Sequence, residues 1–325
     1  MKLSVIVPVY NEKDNLQLLV DAVKQALNRL PYPWELILVD DGSKDSSPQI
    51  IEALAQEDPE HIRLIALRRN FGQTAAIAAG IDHAEGDIII PMDADMQNDP
   101  ADIPMMIEKI NEGYDLVSGW RKQREDNYVT RTLPSHMANG LISWVTGVHL
   151  HDYGCTLKAY RREVITGFRL YGEMHRFIPV YANSVGAKII EVPVHHHPRK
   201  HGKGKYGLER TFKVLLDLFT VKFLTSYSQK PIYLFGGAGA VLMLVSFLTL
   251  FFLFIRRVFF NVSVFSSPLF QMATLIALLG FQSVLMGLIA ELLARTYHES
   301  QGKPIYSVRK FVNISSRESD RFSGL

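Results

Sequence analysis

Two stretches of this chain, residues 232–255 and 269–290, hold no charged side chain. Each runs for about 22 to 24 residues, and an α-helix rising about 1.5 Å per residue needs roughly 20 to cross a hydrocarbon core of about 30 Å. Core helices of that length usually keep a polar stripe, so the sequence predicts two transmembrane helices, about 232–255 and 268–292, within a segment 231–293. In a chain of 325 residues that leaves one full domain ahead of the pair, 1–207, a joining segment, 208–230, and a tail, 294–325. Two crossings return the chain to the side where it began. The tail carries Arg295, Lys303, Arg309, Lys310 and Arg317, whereas the connection between the runs carries only Arg256 and Arg257. The positive-inside rule therefore puts the domain and the tail on the cytosolic side.

Ahead of the membrane runs, apolar segments at 3–7, 35–39, 62–67, 87–92 and 115–118 read as strands, and helical patterns at 14–29, 46–56, 73–83 and 102–111 fall between them. Strand and helix in alternation predict an α/β domain of βαβ units on a mostly parallel sheet. Sheets of this kind bind ligands beyond the carboxyl ends of their strands. The polar signatures fall there: Asn11-Glu12, Asp40-Asp41-Gly42-Ser43 and Asp93-Ala94-Asp95. A further strand at 188–194 leads into a glycine-rich, basic run from His195 to Gly207 that reads as a loop. Three adjacent histidines there, His195 to His197, cannot all face one ion, so no transition-metal site is expected.

The net charge of +2, from 35 basic and 33 acidic residues, says nothing about partners by itself, and no nucleic-acid partner is expected. Its local pattern says more. Between Arg199 and Lys213 six basic residues face one acid, Glu209, just where anionic headgroups or a phosphorylated ligand would be met. A basic face held by lipid electrostatics alone would read the same way. Residues 208–227 then mix Phe, Leu and Val with Arg210, Lys213, Asp217 and Lys222 at helical spacing, the pattern of an amphipathic helix lying on the membrane or packed on the domain. The single cysteine, Cys155, excludes an intramolecular disulfide and fits a reducing compartment. The opening Leu3-Ser4-Val5-Ile6-Val7 reads as a strand with no cleavage site after it, so no signal peptide is expected.

Asp93 and Asp95, one residue apart at a strand end, can hold a divalent cation with oxygen ligands, and Gln97 follows at the same spacing. An acidic turn alone is weak support, but its company is specific. Val5-Ile6-Val7-Pro8-Val9-Tyr10-Asn11-Glu12, Val39-Asp40-Asp41-Gly42-Ser43 and Met92-Asp93-Ala94-Asp95-Met96-Gln97 occur in that order. With them the sequence resembles the family-2 glycosyltransferases of GT-A fold, a nucleotide-sugar-binding, Rossmann-like sheet domain. The likeness extends through Arg69-Asn70-Phe71-Gly72-Gln73, Gly119-Trp120-Arg121, Asp152-Tyr153-Gly154-Cys155, His175-Arg176-Phe177-Ile178-Pro179, His196-His197-Pro198-Arg199, the paired apolar runs and Gly302-Lys303-Pro304-Ile305-Tyr306. In that fuller form it is similar to the polyisoprenyl-phosphate glycosyltransferases, among them dolichyl-phosphate mannose synthases and undecaprenyl-phosphate glucosyl- and 4-deoxy-4-formamido-arabinosyl-transferases.

The resemblance implies a role for each matching residue. Pro8, Tyr10, Glu12, Asp40 and Asp41 would hold the base and ribose of a nucleotide-sugar donor. Asp93, Asp95 and Gln97 would hold Mg²⁺ or Mn²⁺, with Asp93 also meeting the donor. Arg121, Arg131 and Ser135 would hold the phosphate of a polyprenyl phosphate acceptor, and Arg199 and Lys205 would close over the donor diphosphate. Arginine's planar fork suits phosphate oxygens independently of any family. Asp152 is a candidate catalytic residue, as a base, as an orienting group or as a turn cap. A phosphate monoester with a second pKa of about 6 is largely ionised at neutral pH, so the expected chemistry is one in-line displacement with inversion, needing little help from a base. Its partners would be the donor, the lipid acceptor and the membrane, with a homo-oligomer allowed for. Two rivals compete with this reading. A processive polysaccharide synthase would show a Gln-x-x-Arg-Trp motif and more spans, and neither occurs here. A non-catalytic membrane scaffold would be expected to have lost some of Asp93, Asp95, Arg121 and Arg131.

Overall fold

The structure, a computed structural model, describes residues 1–122, 133–166, 170, 174–198, 232–260, 263–265, 267–300 and 305–314. These fall into two compact units, a sheet with its helices and a pair of long apolar helices. The expected amphipathic segment 208–230 lies outside the described residues.

In the first unit β1 (Leu3–Val9), β2 (Trp34–Asp40), β3 (Ile62–Leu67) and β4 (Ile88–Pro91) run parallel. The crossovers between them are α1 (Leu16–Leu27), α2 (Ser47–Glu57) and α3 (Gln73–His83). Every residue of β2, β3 and β4 is buried, which is why these strands read as unbroken apolar runs rather than alternating ones. Helix α1 buries Leu16, Leu19, Val20, Val23 and Leu27, a stripe spaced by three and four that turns one face to the sheet. After α4 (Ile103–Asn111) come β5 (Leu116–Trp120), α5 (Leu133–Thr146), β6 (Lys158–Arg161), α6 (Arg162–Ile165), α7 (Ile178–Ser184) and β7 (Ile189–Pro193). The sheet order is β7-β5-β6-β4-β1-β2-β3, with a further strand, β8 (Val308–Val312), beyond β3. Only β6 and β8 run against the rest. The GT-A arrangement expected from the sequence is present, with β6 inserted between β4 and β5.

The segment 294–325, expected as a tail, therefore does more than trail. Its strand pairs with β3 in the register Leu64↔Val312 and Ile65↔Phe311. Tyr306 donates its hydroxyl to Asp82 at 2.9 Å, and Asn313 Nδ2 donates to the carbonyls of Ala55 and Ile62 at 2.6 and 2.9 Å. Five residues that include Arg309 and Lys310 give little strand signal, yet basic side chains are what an exposed sheet edge carries.

At the opposite ends of the strands, an ionic cluster staples β1, β2 and β3 together. Glu35, fully buried on β2, accepts from Ser4 Oγ at 2.5 Å and from the Glu85 amide at 2.7 Å, and pairs with Arg63 at 2.8 Å and Lys2 at 3.1 Å. Glu85 in turn accepts from Arg63 at 2.8 Å and Lys2 at 2.5 Å, which holds its carboxyl down at about 2 against an ordinary 4.5. A carboxyl whose pKa falls on folding stabilises the fold above its unfolded value and loses that contribution as pH drops toward the folded one. Glu85→Gln is therefore expected to lower the melting temperature at pH 7 and to flatten its fall between about pH 4.5 and 2. Thermal melts of both proteins across that range check it. A parallel slope in the two would remove Glu85 from the acid response.

The second unit is α8 (Ile232–Phe260) and α9 (Pro268–Ser300), of which Phe235–Phe259 and Pro268–Ile289 are long and apolar enough to cross a membrane. Only 17% of the most apolar stretch of each is buried, whereas a soluble core helix would be mostly covered. The helices touch backbone to backbone: a Cβ on Gly239 would lie 2.6 Å from the Gly280 carbonyl oxygen, and one on Gly280 2.9 Å from that of Gly239. Close approach at small residues is how helices associate where no water drives them together. Ser246 Oγ adds a bond to the Ala273 carbonyl at 2.7 Å. Phe247, Phe251, Phe254, Leu275 and Leu278 stay exposed, an apolar surface suited to lipid.

Candidate active site

The carboxyl ends of β1 and β2 present Pro8 and Tyr10 beside the Asp40-Asp41-Gly42-Ser43 turn. Asn11 locks the two loops together from a left-handed backbone, φ 55°, which asparagine tolerates. Its amide donates to Ser43 Oγ at 3.0 Å and its side-chain oxygen accepts from the Lys44 amide at 2.8 Å. The Glu12 amide donates to Ser47 Oγ at 3.1 Å, while the Glu12 carboxylate accepts from Asn15 Nδ2 at 2.8 Å. Asp40 is fully buried; one of its oxygens accepts from the Ser43 amide at 3.1 Å, and the other has no hydrogen-bond partner among the described residues. Asp41 has both oxygens engaged, by the amides of Phe71 at 2.7 Å and Gly72 at 2.9 Å. Burial raises its pKa, against the pull of those two N–H groups.

Past β4, Asp93 accepts from Gln73 Nε2 at 2.7 Å and from Thr156 Oγ1 at 2.5 Å. Asp95 is buried and caps the turn through the Gln97 amide at 3.2 Å, with Met96 held at φ 60° between them. Asp93 keeps part of its surface open, but desolvation and the charge of Asp95 both raise its carboxyl pKa. Two crowded carboxylates of hard oxygen type fit a divalent cation, which would relieve that repulsion. Among the described residues no group of three or more His, Cys, Asp or Glu side chains could hold a metal alone. Such a pair suits Mg²⁺ or Mn²⁺, whose remaining positions are commonly filled by water and substrate phosphate. Gln73 and Thr156 also orient Asp93; the sequence places Gln73 in a stretch that carries the resemblance and gives no signal for either side chain's role.

Arg121 stands just past β5 and meets Asp152 in a fork: Nε donates to Oδ2 at 2.7 Å and Nη2 to Oδ1 at 2.9 Å. The amides of Arg121 and Gly154 complete the carboxylate at 3.3 and 3.1 Å. Burial alone would lower the arginine pKa, but the Asp152 bonds and charge more than offset it, so the guanidinium stays charged. A Cβ on Gly154 would lie 3.0 Å from Arg121 Nη2 and 3.8 Å from Arg176 Nη1, so both cations converge on this glycine. Beneath the loop, fully buried Lys158 donates to the carbonyls of Tyr153 and Cys155, and burial pushes its ammonium pKa down. Burial also lifts the Cys155 thiol to about 11, which leaves it inert. The loop from Asp152 to Thr156 thus carries an arginine clamp at one end and a bond to Asp93 at the other.

The histidines turn to separate acids. His195 Nδ1 pairs with Asp102 at 2.7 Å and His197 Nε2 with Asp99 at 3.0 Å, while His175 Nδ1 meets Thr74 Oγ1 at 2.7 Å. Arg131, Arg199 and Lys205 lie outside the described residues, and Ser135 falls within α5 with its side chain likewise outside them.

Carboxylates that could hold a cation at the end of β4, buried acids at the end of β2 and a clamped arginine past β5 are the parts of a site for phosphate-bearing substrates. Residues 4–168 match the family model described as glycosyl transferase family 2. The chain belongs to that family. This glycosyltransferase is 42% identical over 320 residues to a dodecaprenyl-phosphate galacturonate synthase of Rhizobium johnstonii, covering 98% of this chain and 95% of that one. It is 36% identical over 321 residues to an undecaprenyl-phosphate 4-deoxy-4-formamido-L-arabinose transferase of Yersinia enterocolitica, covering 98% and 96%. Among solved structures, glucosyl-3-phosphoglycerate synthase of Mycobacterium tuberculosis, in complex with Mn²⁺, uridine diphosphate and phosphoglyceric acid, superposes with a TM-score of 0.53. That likeness covers 69% of the transferase and 78% of the neighbour at 18% identity, and it speaks to fold alone.

Proposed function

We propose that this transferase moves a sugar from a nucleotide-diphosphate sugar to a polyprenyl phosphate at the cytosolic face of the membrane, with inversion at the anomeric carbon. The observation that carries the reading is the Asp152–Thr156 loop, which sets Arg121 for an anionic acceptor and Asp93 for a metal-bound donor within one short segment. The two relatives named above are described as acting on dodecaprenyl and undecaprenyl phosphates, which supports the same acceptor class here.

The unpartnered oxygen of Asp40 would take an N–H of the base, near Pro8, Tyr10, Glu12 and Asp41. The donor is a UDP-sugar by analogy with the bacterial relatives, with GDP-mannose the alternative. Asp93 and Asp95, with Gln97 and donor phosphate oxygens, would hold Mg²⁺ or Mn²⁺, hard cations suited to oxygen ligands. Bound there, the ion supplies charge for the departing diphosphate. Arg121, with Arg131 and Ser135, holds the lipid phosphate in line with the sugar; Arg199 and Lys205 cover the donor. Asp152 has both oxygens on Arg121, so it orients that arginine rather than taking a proton. The acceptor is already an anion, and positioning with electrostatic stabilisation does the rest.

The apolar pair is flanked by segments that meet in one sheet, β1 to β7 before it and β8 after it. This supports two crossings with both flanks on one side, and the basic tail favours the cytosol. In sealed inverted vesicles carrying the protein and polyprenyl phosphate, an added radiolabelled UDP-sugar with Mg²⁺ or Mn²⁺ is expected to label a lipid by the mass of one sugar. Right-side-out vesicles should give none. No label from any donor of a full panel would leave a scaffold, a ladder of products would mean a processive enzyme, and label only in right-side-out vesicles would reverse the topology.

A further inference from the structure

Glu191 lies within β7, beside Ser118 of β5, and its side chain is only 11% exposed. It reaches back 39 and 40 residues to the turn ahead of β6, where it accepts from the amides of His151 and Asp152, each at 3.0 Å. Its second oxygen also meets His151 Nδ1 at 2.7 Å. The His151 ring stacks on Trp120, the residue before Arg121, with centroids 4.4 Å apart. One carboxylate therefore fixes the backbone from which Asp152 reaches Arg121, and ties it to β7, the strand paired with the one that delivers Arg121.

We infer that Glu191 is a positioning residue for the acceptor-phosphate site, acting through Asp152 on the Arg121 guanidinium. The inference rests on the reading that Arg121 holds the lipid phosphate. Asp152 is almost fully buried and bidentate on Arg121, so its aim follows its backbone. Without Glu191 the two amides of the turn lose their acceptor and must turn toward another. A small displacement at a phosphate clamp is costly because the fork geometry is rigid. Among the described residues the donor side is held by Gln73 and Thr156 on Asp93 and takes no bond from Glu191. A general loss of fold would not spare the donor.

Initial rates with purified enzyme, varying polyprenyl phosphate and nucleotide-sugar separately, test this. Glu191→Ala is expected to raise KM for the lipid phosphate about tenfold, with donor KM changed less than about twofold. Glu191→Gln keeps an oxygen for both amides and should restore most of the lipid affinity. In an Asp152→Asn background Glu191→Ala should add nothing further, since both act along one path. Should Glu191→Ala not fold, Glu191→Asp, which withdraws the carboxylate by one methylene, is expected to raise lipid KM about threefold at constant donor KM. Equal changes in both KM values, full additivity with Asp152→Asn, or no lipid effect in the folded variants overturns the inference. Arg121→Ala separates the two levels. If it leaves lipid KM unchanged the acceptor reading itself falls, whereas a large rise there with none for Glu191 removes Glu191 alone.

Discussion

Asp95→Ala will lower sugar transfer by on the order of 10³-fold while leaving the fold as stable as before or more so. The two halves of that expectation have one cause. Asp95 sits buried beside Asp93, and desolvation together with its charge raises the Asp93 pKa. A carboxyl whose pKa rises on folding is a cost to the fold at neutral pH, and removing its neighbour relieves part of that cost. Function runs the other way. The pair's repulsion is useful only when a divalent cation and a diphosphate complete the site, and removing one preorganised electrostatic partner typically costs 10² to 10³ in turnover. Asp95→Ala also frees the Gln97 amide, which Asp95 accepts from at 3.2 Å, so the third proposed metal ligand loosens with it. Rates measured against Mg²⁺ and Mn²⁺ concentration, next to a thermal melt of the metal-free protein, check both halves. Full transfer by Asp95→Ala would end the metal account, and a collapse in melting temperature would recast the pair as structural. Thr156→Val, which removes only the 2.5 Å bond to Asp93, should fall between the variant and the wild type.

The first half of the sheet was readable because β1 to β4 are buried almost throughout and separated by helices. The spans 62–67 and 73–83 coincide with β3 and α3. The acidic signatures stand at strand ends because a parallel sheet puts its loops there. What escaped was whatever depended on a distant partner. Lys-Ala-Tyr-Arg in β6 shows no apolar run, since its buried Lys158 is satisfied by carbonyls of the preceding loop and not by an acid. β8 finds β3 across more than two hundred residues, a pairing no local period reports. Glu191 looks like an ordinary polar position in an Ile189-Ile190-Glu191-Val192 strand, and only the fold shows that it holds the turn at His151 and Asp152. Asp41 reads as a ligand-facing acid, and the fold adds that both of its oxygens brace the Phe71-Gly72 backbone.

That brace is the reason to expect a large effect from the smallest substitution near the donor. Gly42 has φ 69°, and a Cβ there would lie 2.5 Å from the carbonyl carbon of Arg69 and 2.7 Å from the amide nitrogen of Asn70. Both neighbours are backbone, so nothing can rotate aside. Gly42→Ala then combines a left-handed alanine, about 1 to 3 kcal/mol, with overpacking of similar size, for a loss of about 3 kcal/mol or more. The displaced loop is the one Asp41 holds through Phe71 and Gly72, and Gln73, next along, orients Asp93. Donor affinity should therefore fall with stability. Gly72→Ala is the collision-free comparison: its backbone, φ 95° and ψ 159°, is one that glycine almost alone adopts, at about 1 to 3 kcal/mol for alanine, but a Cβ there meets nothing within 4 Å, so its loss should stay below that of Gly42→Ala. Denaturation of the two variants, with uridine diphosphate binding measured alongside, separates strain from collision. Equal losses would show that the close approach of Gly42 to Arg69 costs nothing when filled, and that the turn is free to move without disturbing the site.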